Sequence, residues 1–97
     1  MKPARIKFLT AEEGGRKAPP QHDRPFNYRT HAGPTTDHND ASWTLVVEFE
    51  KNPGAGQWED CTVNYLAYNH PKCPPLTPGT ELFLFEGYRI VALVKVA

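Results

Sequence analysis

The chain has 97 residues, 39% hydrophobic and 11% aromatic, with eleven basic and eleven acidic side chains that cancel. That size fits one domain with one modest core. Zero net charge gives no global pull toward nucleic acid or an anionic membrane, so such binding would need a local patch. No apolar run reaches the ~20 residues of a spanning helix. The opening MKPARIKFLT has charge but no apolar core of a leader, so a soluble, cytoplasmic chain is the expectation.

The pattern reads as short strands in series. Ala4 to Thr10 alternates, with Ile6 and Phe8 on one face and Arg5, Lys7 and Leu9 on the other. Gly14-Gly15 and Pro19-Pro20 then make a loop. Phe26 to Thr30 is a short β-prone piece, and His31 to Ser42 reads as a polar, turn-rich loop. Trp43 to Glu50 is the clearest strand, placing Trp43, Leu45, Val47 and Phe49 together. Asp60 to Asn69 alternates Cys61, Val63, Tyr65 and Ala67 against Thr62, Asn64, Leu66 and Tyr68. Glu81 to Phe85 and Arg89 to Val96 close the chain around Glu86-Gly87-Tyr88, where Gly87 can supply a positive φ. No segment holds a helical period, and Pro 10 and Gly 7 break long helices. Six short strands between turn signals imply an antiparallel barrel or sandwich. The expected core is Ile6, Phe8, Trp43, Leu45, Val47, Phe49, Val63, Leu82, Leu84, Val91 and Leu93, or the opposite face wherever a register slips.

Four motifs occur in a telling order. Glu12-Glu13-Gly14-Gly15-Arg16 follows the first strand, then come Arg24-Pro25 and Tyr28-Arg29-Thr30, then His70-Pro71, then Phe83 and Glu86-Gly87-Tyr88-Arg89 before the last strand. This order resembles the third, C-terminal β-barrel domain of elongation factor Tu, over about Ala4 to Val96. The resemblance implies a single six-stranded antiparallel β-barrel covering 1–97. It also implies a binding surface, because in that family the barrel contacts aminoacyl-tRNA, an exchange factor and the GTPase domain. No GxxxxGK[ST] loop is present, so neither nucleotide binding nor GTP hydrolysis carries over. The family's last strand carries a Gly-Ala-Gly stretch; Ala92, Leu93 and Val94 stand there, and Val94 is too large for close approach of a nucleic-acid backbone.

Each candidate site also has a plain structural reading. Glu13-Gly14-Gly15-Arg16 has the glycines of an anion nest, but two carboxylates beside them repel phosphate, which favours a turn. His22, Asp23, His31, Asp37, His38 and Asp40 supply metal-ligand types without a zinc spacing. Cys61 and Cys73 are not a CxxC pair; Cys61 follows a core pattern, and a Cys–His site using His70 lacks a placed base. A disulfide between the two cysteines runs against the reducing compartment expected. Arg5, Lys7, Arg24 and Arg29 could form a basic strip. Trp58 and Tyr88, placed in loops, suit an exposed contact. No cofactor, metal or catalytic residue is expected. The expectation is a non-enzymatic module docking a protein partner through Arg16, Arg24, Arg29, Trp58, Tyr88 and Arg89. RNA binding through Arg16, Arg24, Arg29 and a stacking aromatic is the alternative, and a small metal- or thiol-dependent enzyme using the His-rich loops is a third.

Overall fold

The computed structural model describes residues 2–15, 26–41, 43–49, 51–66 and 75–97, with Phe26 by its backbone alone. Six strands form: β1 (Lys2–Phe8), β2 (Phe26–Gly33), β3 (Trp43–Phe49), β4 (Trp58–Tyr65), β5 (Glu81–Glu86) and β6 (Arg89–Val96). They close into an antiparallel barrel in the order β1-β4-β3-β2-β5-β6. One end, here the upper, collects the C-termini of β1, β3 and β5 and the N-termini of β2, β4 and β6. Closure joins β1 to β6 and β2 to β5, so most backbone donors find ladder partners within the ring.

Alternation supplies the core. Ala4, Ile6 and Phe8 of β1, Leu45, Val47 and Phe49 of β3, and Cys61, Val63 and Tyr65 of β4 all face the buried interior. Of the residues expected there, Trp43 is half-buried against the cluster and Leu93 lies outside it. The reason for Leu93 is a bulge. Between the pairs Leu84↔Ala92 and Phe85↔Ile90, β5 advances one residue while β6 advances two, so Val91 is inserted. Val91 and Ala92 are therefore both buried, Val94 and Val96 keep the inner face, and Leu93 turns outward to half-burial. Phe85 is just as deeply buried but stands apart from the core cluster.

Strand ends also move relative to the sequence pattern. β1 stops at Phe8, because Thr10 caps a 3-10 helix, Ala11–Glu13. The Glu13 backbone N–H donates to Thr10 Oγ1 at 3.2 Å, and the Thr10 N–H donates back to Glu13 Oε1 at 3.1 Å. This reciprocal capping box lowers the Glu13 carboxyl below its ordinary range, chiefly through the Thr10 backbone donor, then its hydroxyl. Gly14 follows with φ 88°, and a Cβ on Gly15 would meet the Leu9 carbonyl oxygen at 2.4 Å. The two glycines are thus required by a tight turn and a close backbone approach. β2 runs on through His31, Ala32 and Gly33, residues expected in the following loop. β4 begins two residues early, at Trp58.

Candidate partner-binding surface

Register decides which candidate residues meet. In a six-stranded ring β1 and β2 are three strands apart in either direction, hence on opposite walls. Arg29 of β2 therefore cannot share a strip with Arg5 and Lys7 of β1. Arg5 also has an acidic neighbour, its Nε lying 3.6 Å from Asp60 Oδ1 across the β1–β4 pair. That ion pair is well exposed and worth at most about 1 kcal/mol. Arg16 and Arg24 lie outside the described residues, as do His22, Asp23, Tyr68, Cys73 and the His70-Pro71 dipeptide.

Three of the expected contact residues do converge. The β2–β5 ladder runs from Gly33↔Phe83 to His31↔Phe85. Extending that count puts Arg29 level with Gly87, at the β5–β6 hairpin tip. Gly87 takes φ 64°, the left-handed conformation that the tight reversal needs. Tyr88 beside it is 83% exposed, and Arg89 opens β6 in register with Glu86. Arg29, Tyr88 and Arg89 are all exposed on this one flank.

Tyr88 is nonetheless held. The ring of His38 meets it edge to face, with centroids 4.4 Å apart. His38 belongs to a second 3-10 helix, His38–Asp40, capped by Asp37, whose Oδ1 accepts from the Asn39 N–H at 2.9 Å. Thr35 Oγ1 donates to Asp40 Oδ2 at 2.6 Å and tightens the same loop. The β2–β3 connection starts at the lower end of the barrel, so this contact carries it back along the outer wall to the hairpin tip. Asp37, His38 and Asp40 thus serve loop closure and a ring contact; among the described residues no three His, Cys, Asp or Glu side chains cluster as metal ligands.

Beneath the tip, on the inner side, the mouth of the barrel is aromatic. Phe8 packs edge-on against Tyr28 at 5.6 Å and tilted against Phe49 at 6.0 Å. The Tyr28 hydroxyl donates to Glu86 Oε2, and the Thr30 hydroxyl donates to the Phe85 carbonyl. These two bonds tie β2 to the end of β5 where the ladder stops. The sequence reading missed both, although Tyr28 and Thr30 share the inner face of an alternating strand.

Trp58 is placed differently. It starts β4 rather than sitting in a loop, is 39% exposed, and pairs with Lys7 of β1. β1 separates it from β6, away from Tyr88. Cys61 lies in the core as a free thiol, pushed up to about 12 by desolvation first and by the nearby Asp60 charge second. It stays protonated near neutrality, the state least able to attack or ligate.

No protein-family model matches the chain, and no curated protein matches it.

Proposed function

We propose that the chain is a non-enzymatic binding module that docks a protein partner through the flank formed by the β5–β6 hairpin tip and the upper half of β2. The observation that carries this reading is Tyr88: a large aromatic, 83% exposed, that meets the His38 ring edge to face. An exposed Tyr costs hydrophobic free energy, and a ring contact that favours one orientation reduces the entropy lost when a partner covers it. Arginine and tyrosine are the residue types enriched at interface centres, and Arg29 and Arg89 flank it. The buried, protonated Cys61 argues against thiol chemistry. The resemblance to the C-terminal barrel of elongation factor Tu supports the same reading by analogy, since that barrel works as a docking surface.

The test is site-specific photo-crosslinking in the source cell. A photoreactive phenylalanine at position 88 should give a discrete protein adduct, while one at Lys51, in the β3–β4 connection, should give none. Adducts to RNA, or none from position 88, would sink the proposal.

A further inference from the structure

One aromatic is buried on the outer side of the wall. Along β5, Leu82 and Leu84 belong to the core and Glu81 is exposed, so Phe83 and Phe85 point outward by alternation. His31, the partner of Phe85 on β2, shares that face and is exposed. Phe83 is half-buried, yet Phe85 is only 1% exposed. A ring on an outer wall is buried only by something laid over that wall.

The β2–β3 connection is laid there. A Cβ on Gly33 would point outward, as Arg29 and His31 do, and would meet the Asp40 carbonyl oxygen at 2.9 Å and the Ala41 Cα at 3.0 Å. Gly33 is level with Phe83. His38 meets the ring of Tyr88, beyond Phe85 on the same hairpin. Residues 38–41 thus run along the outer face between the level of Phe83 and the tip, with Phe85 between. His38 and Ala41 are half-buried, while Asn39 and Asp40 are exposed.

This strap closes its polar bonds on itself. Thr35 Oγ1 donates to Asp40 Oδ2, and the Asp37 N–H donates to Thr35 Oγ1 at 3.2 Å. The Asn39 N–H donates to Asp37 Oδ1, and the Ala41 N–H to the His38 carbonyl at 3.0 Å. All four bonds begin and end within 34–41, so lifting the strap breaks none of them. Its seat on the wall is made of close packing at Gly33 and the ring contact at Tyr88.

We infer that 34–41 is a lid, latched by the His38 ring on Tyr88, which lifts as one preformed unit and uncovers Phe85 beside Tyr88. A unit with its own bonds gives up only its surface contacts on moving, and such units sit at the low end of local stability. Closed, the lid hides one of two neighbouring aromatics. Open, it widens the docking flank. That use rests on the docking reading above, whereas the lid is a property of the free chain.

The experiment is hydroxyl-radical footprinting of the free, whole chain, read residue by residue. In the parent, Tyr88 should oxidise readily and Phe85 slowly. His38→Ala removes the latch and should raise Phe85 oxidation about two- to tenfold, the population shift expected for one lost ring contact. His38→Phe keeps a ring there and should stay near the parent. Gly33→Ala acts at the other end, where its methyl crowds the Asp40 carbonyl, and should also raise Phe85 oxidation by propping the lid. Phe8 and Phe49, inside the barrel, should stay protected in all three variants. An unmoved Phe85 in either alanine variant, an equal rise with His38→Phe, or Phe8 and Phe49 rising alongside would overturn the inference. If Phe85 responds but position 88 gives no protein adduct, the lid stands and its use in docking is lost. If the adduct forms while Phe85 stays protected, docking stands and the lid is lost.

Discussion

The two sides of β2 show how one strand can be both scaffold and surface. Toward β3 it is zipped along almost its whole length, with Tyr28, Thr30 and Ala32 facing the core. Toward β5 it is zipped over three residues and then held by two side-chain hydroxyls. A continuous ladder shares its free energy over many bonds, so no single one matters much. A short seam depends on the few bonds that end it. The difference teaches that the ring closes where the hairpin allows, and that the hairpin's reversal leaves its tip and the adjacent edge outside the cooperative wall.

Four measurements break or sharpen that contrast. The largest effect should come from the shared interior. Phe8→Ala removes the ring that touches both Tyr28 and Phe49, and denaturant unfolding should show a loss of about 3–5 kcal/mol, with both edges of β2 failing together. Tyr88→Ala, on the exposed tip, should stay within about 0.5 kcal/mol in the same assay. Equal losses for the two would erase the distinction.

Tyr28→Phe tests the seam directly. It deletes the hydroxyl that bonds to Glu86 and keeps the ring, so the loss should be about 1.5–3 kcal/mol, as for a hydrogen bond to a charged group. Native-state hydrogen exchange should rise at Phe83 to Phe85 and stay low at Leu45 to Val47. Uniform acceleration across β3 would show that the seam is not a separate unit.

Thr30→Val is a smaller version of the same break. Shape is nearly kept and one neutral bond to the Phe85 carbonyl goes, at a cost of about 0.5–1.5 kcal/mol. Exchange at the β2–β5 seam should again respond more than exchange at β2–β3.

The smallest effect is at the exposed Thr10–Glu13 turn, remote from the seam. Glu13 titrates below its ordinary 4.5 because the Thr10 donors favour the carboxylate. A lowered carboxyl pKa stabilises the fold above the unfolded value and loses that contribution as pH falls through the folded one. Exchange protection of the Thr10 amide, which donates to the Glu13 carboxylate, should therefore fade as the solution is acidified below about 4.5. Glu13→Gln should keep the bond and abolish the pH dependence. Unchanged protection in acid would remove the capping box from the account.

Much of the architecture was legible residue by residue. The inner face of β3 and the Cys61, Val63, Tyr65 face of β4 follow from alternation, because a pleated strand buried on one side admits no other pattern. The Glu86-Gly87-Tyr88-Arg89 hairpin followed from glycine chemistry. The Thr10 to Glu13 capping box was present as a Thr-x-x-Glu spacing and went unread beside the more conspicuous glycines. Leu93 was misplaced because a bulge changes the parity of a strand without changing its composition. Trp58 looked like a loop residue because glycines precede it, yet cross-strand pairing with Lys7 draws it into β4.

The sequence by itself determined the number of strands, their approximate places and most of the inward faces, since these depend on side-chain periodicity and on turn residues a few positions apart. The tertiary structure decided the ring order, the bulge at Val91, the opposite placement of Arg29 and Arg5, and the meeting of His38 with Tyr88. Those are long-range choices. Nothing local to Arg29 specifies that its neighbour across the gap is a hairpin fifty-eight positions further on, at Gly87. That proximity exists because burying both faces' worth of apolar side chains and pairing the last backbone edges requires the sheet to close, and closure fixes which exposed residues share a wall.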